Sequence, residues 1–241
     1  MLNLRGVSVM RGEAFALEDI SLSLGAGETL AIIGESGAGK STLIAAILDL
    51  LRPASGEITW NGGPVAAARP ALVMQEPRSA FNPVLPLRRS VMEPIVAQKA
   101  AVPTERLKRL CDGLELPQSL LDRRPGEVSI GQAQRVGILR ALISAPSLVL
   151  FDEPLSALDA VTQKQTAALI ADLQREEGFA ALIVSHDLGF AIAHADEIAV
   201  LKAGRIVEIA DSNTFKRAPK SAYSRTLREA AISLGALEVS A

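Results

Sequence analysis

Residues Gly34-Glu35-Ser36-Gly37-Ala38-Gly39-Lys40-Ser41 fit the pattern G-x-x-x-x-G-K-[ST]. The apolar run Thr29–Ile33 precedes them, and a helical stretch from about Lys40 to Leu51 follows, stopped before Pro53. A loop in this setting joins a buried strand to a helix N-terminus, and the rest of the chain repeats that rhythm. Leu148–Phe151, a helix after Asp159, Ala180–Val184, a short helix, Ile198–Leu201 and Arg205–Ile209 alternate as expected of a mainly parallel, helix-covered sheet.

The flanks differ in texture. Leu2–Val9 and Ile20–Leu24, the latter with period-2 alternation, read as an N-terminal antiparallel β region. Glu57–Trp60 and Ala71–Met74 are further short strands around the Asn61-Gly62-Gly63 turn. From about Arg78 to Ala141, prolines 83, 86, 94 and 103 punctuate short helical segments, and Thr104 is expected to cap a run carrying Leu107, Leu110 and Leu114 on one face. The fold class is therefore α/β, a single domain. Its core spans 1–77 and 142–210, a helical subdomain at 78–141 is inserted in it, and a helical extension covers 211–241.

Hydrophobic residues make up 49% of the 241, enough for a substantial core. A net charge of −2 with both signs interspersed gives no case for a nucleic-acid partner. Cys111 is the only cysteine, which excludes an internal disulfide or a cysteine metal cage. The start, MLNLRGVSVMRGE, has no apolar signal-peptide core, and runs such as Leu43–Leu48 fall far short of the ~20 residues that span a bilayer. The chain reads as soluble and cytosolic, with any membrane role exercised through a partner.

The loop's composition suits phosphate. Its glycines let successive N–H groups converge on phosphate oxygens at the positive end of the new helix. Lys40 supplies a mobile cation for β- and γ-phosphates, and the Ser41 hydroxyl is placed to bind Mg²⁺, so Gly34 through Ser41, with Thr42, are candidate ATP contacts. The alternative is a tight turn that holds nothing. The motif implies a P-loop NTPase without separating kinase, switch, motor and transporter. At the end of Ser147–Phe151, Asp152 is a candidate Mg²⁺ ligand, and Glu153 faces the other way, where it can polarise an attacking water. Adjacent carboxylates are also common on loops.

Further motifs carry a family resemblance. LVLFDEPLSALD (Leu148–Asp159) resembles the Walker B segment and D-loop of ABC ATPases, and Val128-Ser129-Ile130-Gly131-Gln132 with Ala133-Gln134-Arg135 resembles their signature. Gln75 fits the Q-loop and His186 the switch histidine, in matching order from about residue 2 to 210. The resemblance implies that Glu153 is the general base, that His186 steadies the γ-phosphate, and that Gln75 contacts Mg²⁺ and water while sensing the helical subdomain. It places Ser129, Gly131 and Gln132, with Asp159, among the nucleotide contacts. Ser129 and Gly131 would serve the ATP held by an opposing subunit. Two positions depart from the family. Ile130 replaces the signature's first glycine and would be strained at positive φ, though harmless in an ordinary helical conformation. Arg11 stands where an aromatic usually stacks on adenine, and either its guanidinium or Phe15 can fill that role.

Gln75–Pro83 is similar to the corresponding segment of dipeptide, oligopeptide and nickel importer ATPases, as is FKRAPKSAYSRTL (Phe215–Leu227) through Pro219, Tyr223 and Leu227. The chain lacks cysteines for the iron–sulfur cluster some members carry. This resemblance implies an ATP-hydrolysing subunit of a peptide or nickel importer, peripheral on the cytoplasmic face of the inner or plasma membrane. Its partners would be transmembrane permease subunits, a periplasmic or extracellular substrate-binding protein, and a second ATPase. A heterodimer is favoured over a homodimer, because a partner with an intact signature would complete this chain's site. The alternative is an ABC-type ATPase of a soluble complex, such as one for phosphonate degradation. A small-molecule kinase would have no use for residues 128–135. The cargo itself is not legible.

Overall fold

A computed structural model describes residues 1–237; positions 238–241, the end of the expected C-terminal extension, lie outside the described residues. Strands β1 (Leu2–Arg11) and β2 (Ala14–Leu24) form an antiparallel hairpin, and β4 (Ser55–Trp60) pairs antiparallel with the other edge of β1. The second sheet contains β3 (Thr29–Ile33), β5 (Ala71–Val73), β6 (Leu148–Asp152), β7 (Ala180–Ser185), β8 (Glu197–Lys202) and β9 (Arg205–Asp211). Their spatial order is β5-β6-β7-β3-β8-β9, parallel except for the β8–β9 hairpin. The chain is α/β with the antiparallel N-terminal region and mainly parallel sheet expected of it.

Period-2 geometry sorts the central strands between faces. On β6, Leu148 and Leu150 join the apolar cluster under α1 (Lys40–Ile47) and the antiparallel sheet, whereas Val149 and Phe151 face the helices between β5 and β6. On β7, Leu182 and Val184 take the first side and Ala181 and Ile183 the second. Such strands read as continuous apolar runs because both faces are covered. The helices of the second side are α2 (Leu87–Ala97), α3 (Thr104–Gly113) and α4 (Ile130–Leu142), with α5 (Ala160–Glu177) alongside them. A third cluster packs α6 (Leu188–His194), α7 (Ser212–Arg217) and α8 (Ala222–Ser233) against Ala31, Ile33, Ile198 and Val200.

Local details correct the sequence reading. Helix α1 stops at Ile47 rather than Leu51, because Asp49 turns left-handed at φ 57° and the Leu50 amide folds back onto the Ala45 carbonyl. Thr104 does not cap α3. Pro103 occupies the cap position and Thr104 is the first helical residue, with its amide directed to the Val102 carbonyl. Pro94 does not interrupt α2; it lies inside the helix, which continues to Ala97 without the amide that Pro94 lacks.

Candidate active site

The candidate groups gather at the C-terminal ends of parallel strands, where open α/β sheets hold ligands. Gln75 follows β5, Asp152 and Glu153 close β6, His186 follows β7 and the glycine loop follows β3. They line one cleft of about 700 Å³ together with Ser36, Gly37, Gly39, Ser41 and Thr42.

Two glycines are required by the loop's shape. A Cβ on Gly34 would lie 2.2 Å from the Leu201 carbonyl oxygen, and Gly39 caps α1 at φ 112°, which L side chains rarely adopt. Lys40 lies within the loop it closes, donating to the Gly34 and Glu35 carbonyls at 2.7 and 2.9 Å. Burial lowers its pKa, while Glu153 and Asp152 act to raise it. The Asp152 carboxyl is pushed up, first by burial and then by Glu153, with Lys40 opposing. A cation would relieve this carboxylate pair. The Ser41 hydroxyl, Gln75 amide oxygen and Asp152 carboxylate are the hard oxygen donors Mg²⁺ prefers, so the residues fit that ion.

Glu153 joins three strand ends. It accepts a hydrogen bond from Gln75 Nε2 at 2.9 Å, its other oxygen lies 3.0 Å from His186 Nδ1, and its amide donates to the Val184 carbonyl. Its backbone is left-handed at φ 47°, a conformation that costs a non-glycine residue about 1–2 kcal/mol. The side chain is only 14% exposed, whereas that of His186 is 67% exposed.

Other expected contacts lie elsewhere. Gly34, Glu35 and Ala38 do not line the cleft wall. Ser129, Gly131 and Gln132 sit at the start of α4, where Ser129 accepts from the Gln132 amide and the Gln132 side chain accepts from the Ser129 amide. Asp159 caps α5 by accepting from the Thr162 amide and hydroxyl. A Cβ on Gly131 would meet Leu158 at 3.3 Å, so the two segments abut, and Ser129, Gly131, Gln132 and Asp159 do not line the cleft. Ile130 is the first residue of α4, with ordinary helical backbone and a side chain 53% exposed. The unstrained alternative therefore holds.

Arg11 and Phe15 both reach the cleft from the β1–β2 hairpin, beside Ala203 and Gly204 of the β8–β9 turn, where the Gly204 carbonyl accepts from the Glu18 amide at 2.8 Å. That turn, and Ala16, went unread in the sequence, since their only signal is that of a hairpin. Links run from the segment around Gln75 to the helices: Arg78 donates to the Val128 carbonyl at 2.6 Å, Arg140 to that of Ala80 at 2.5 Å, and buried Gln134, at longer range, to that of Met74 at 3.4 Å.

The chain is similar to known proteins over most of its length. A family model described as ABC transporter matches residues 17–156. A putative peptide import ATP-binding protein of Brucella ovis is 36% identical over 227 residues, covering 89% of this chain and 72% of that protein. The oligopeptide transport ATP-binding protein OppF of Escherichia coli is 34% identical, covering 89% of this chain and 69% of that one. A solved dimeric ATP-binding cassette in a post-hydrolysis state, bound to ADP and Pi, superposes with a TM-score of 0.79 at 28% identity, over 88% of this chain and 99% of the other. An ATP-binding subunit of an ABC transporter shares the fold at a TM-score of 0.80 and 24% identity, over 99% of this chain and 100% of that one.

Proposed function

The chain belongs to the ABC transporter family, and from that premise we propose that it binds and hydrolyses ATP to energise a peptide importer. The observation that carries the reading is the contact of Glu153 with both Gln75 and His186, opposite Lys40, in one cleft. The loop amides and Lys40 bind the β- and γ-phosphates. Glu153 accepts the proton of the attacking water, held in place by Gln75 and His186, and His186 donates to the terminal phosphate. Ser41, Gln75 and Asp152 hold Mg²⁺, which when bound neutralises phosphate charge.

Ser129, Gly131, Gln132 and Asp159 serve nucleotide across a dimer interface, which accounts for their position away from this chain's own cleft. The favoured partner is a different ATPase with glycine where this chain has Ile130. The helical segment 78–141 is the part that moves, through the Arg78, Gln134 and Arg140 links. Among the described residues no helix is long and apolar enough to cross a membrane. Permease subunits therefore supply the membrane path, a substrate-binding protein delivers cargo, and the chain sits on the cytoplasmic face. The names of the peptide-import relatives favour peptide over nickel, and an importer over a soluble complex such as phosphonate degradation. Copurification with the permeases, followed by ATPase assays with peptide-loaded and empty binding protein, tests the reading. Equal rates in the two states would overturn the coupling.

A further inference from the structure

His186 stands 3.0 Å from Glu153 with 67% of its side chain exposed, so packing around the imidazole does little to hold it. Its place is set instead by the backbone on either side. Ser185 ends β7, and its hydroxyl accepts the Asp187 amide at 3.0 Å. Asp187 in turn caps α6, accepting from the Phe190 amide at 3.0 Å. Where the first turn of α6 lies therefore decides where the imidazole lies.

That first turn is covered by the C-terminal segment. The buried Glu208 carboxylate on β9 accepts the Lys220 and Ser221 amides at 2.7 and 2.8 Å, which fixes the start of α8. The other end of α8 closes in a glycine turn. Gly235 is left-handed at φ 70°, its amide donates to the Ile232 carbonyl at 3.0 Å, and the Ala236 amide donates to that of Ala231 at 2.9 Å. Ala231 and Leu237 share an apolar cluster with Leu188 and Ala191 of α6. The turn delivers the Ala236 carbonyl onto Gly189 of α6. A Cβ there would lie 2.0 Å from that oxygen and 3.3 Å from Oδ1 of the capping Asp187. Relieving such an overlap takes a shift on the order of 1 Å. Gly189 has ordinary helical backbone, so the close approach, and not a turn, is what requires glycine here.

We propose that Gly189 is a positioning residue for His186: lacking a Cβ, it lets the turn after α8 close directly on the first turn of α6, and that contact sets where the imidazole stands against Glu153. The proposal rests on the ATP-hydrolysis reading above, in which His186 faces the terminal phosphate. The test is single-turnover hydrolysis by the complex copurified with the permeases, with the second ATPase's own site disabled. Misplacing a catalytic group by about 1 Å costs up to about 100-fold in rate, so Gly189→Ala should slow the step about 10- to 100-fold. In a His186→Ala background the same substitution should change the rate less than about twofold, because groups that act as a unit are lost only once. The Kd for a ribose-labelled fluorescent ADP should stay unchanged, since ADP has no terminal phosphate for His186 to meet. Leu237→Ala loosens the turn from its other side without a backbone clash. It should slow hydrolysis as well, again only where His186 is present, and it decides the matter if the Gly189→Ala complex does not assemble. An undiminished rate, equal slowing with and without His186, or ADP affinity that weakens in step with the rate would each overturn the proposal. An unaltered complex that hydrolyses no ATP, or a His186→Ala complex at full rate, would overturn the underlying reading and the proposal with it.

Discussion

Replacing Glu153 by glutamine separates chemistry from binding. The amide is nearly isosteric, and its oxygen can still accept from Gln75 Nε2, so the junction of β5, β6 and β7 should persist. What disappears is the proton acceptor. A positioned general base contributes about 10²–10⁴ in rate. At about 1.36 kcal/mol per decade, this corresponds to a barrier raised by about 2.7–5.4 kcal/mol. Binding should move the other way. Glu153 raises the Asp152 pKa and opposes the lowering of the Lys40 pKa, so neutralising it removes a negative charge from the phosphate site. The expected outcome is a Kd for MgATP that is unchanged or tighter, with single-turnover hydrolysis slowed at least a hundredfold. The assay should use a complex whose second ATPase site has been disabled, with phosphate release and nucleotide binding measured on the same preparation. Near-normal hydrolysis would refute the assignment. A Kd weakened tenfold or more would make Glu153 a binding group instead.

Lys40→Ala should lose most MgATP affinity by calorimetry while melting as the unaltered chain does, because its ammonium bonds only to loop carbonyls. The chain alone should hydrolyse ATP slowly, and Ile130→Gly should raise that rate if homodimers form; robust, concentration-dependent hydrolysis by the unaltered chain would sink the heterodimer. For Glu208, burial acts to raise the pKa, but the Lys220 and Ser221 amides with the Ser224 and Ser221 hydroxyls outweigh it and hold the carboxyl below its usual range. Its folded pKa is depressed, so its stabilisation is present above the unfolded value of about 4.3 and is lost as pH falls through the folded one. Melting curves of Glu208→Gln should therefore lose that part of the acid dependence, and the variant should be less stable at neutral pH by roughly 1–3 kcal/mol.

The parts of the site governed by local chemistry were legible in sequence. The glycine loop needs a strand before it and a helix after it, and β3 and α1 begin where that requirement puts them. The carboxylates at the end of β6 follow the same logic. Long-range groups were not legible. Nothing local marks Ala203 and Gly204 as a wall of the cleft, because long-range pairing brings them there: β8 lies beside β3, and Gly204 bonds to Ala38 and Glu18. Burial of Gln134 depends on α4 packing near β5, which its sequence neighbours do not announce. The ends of α1 and α3 were misread because Asp49 and Pro103 act through backbone angles, which residue type constrains only loosely. Ile130 was the reverse case: its neighbours left two conformations open, and the helix start at α4 selects the relaxed one.

The chain leaves the sheet after Val73 and returns at Leu148 on the strand directly alongside, β5 beside β6. Everything between is topologically one enlarged crossover whose two ends are pinned as neighbours. Closing such a loop costs entropy that grows only logarithmically, about 0.6 kcal/mol for each doubling of length. The crossover is thus a site where material can be lengthened, trimmed or grafted without shifting the strand register that aligns Gln75 with Glu153. The constraint on a graft is its underside. Val73, Val149, Phe151, Ala181 and Ile183 share one apolar cluster with Leu87, Leu107 and Val136, so a replacement must bring a matching greasy face or leave the sheet open to water.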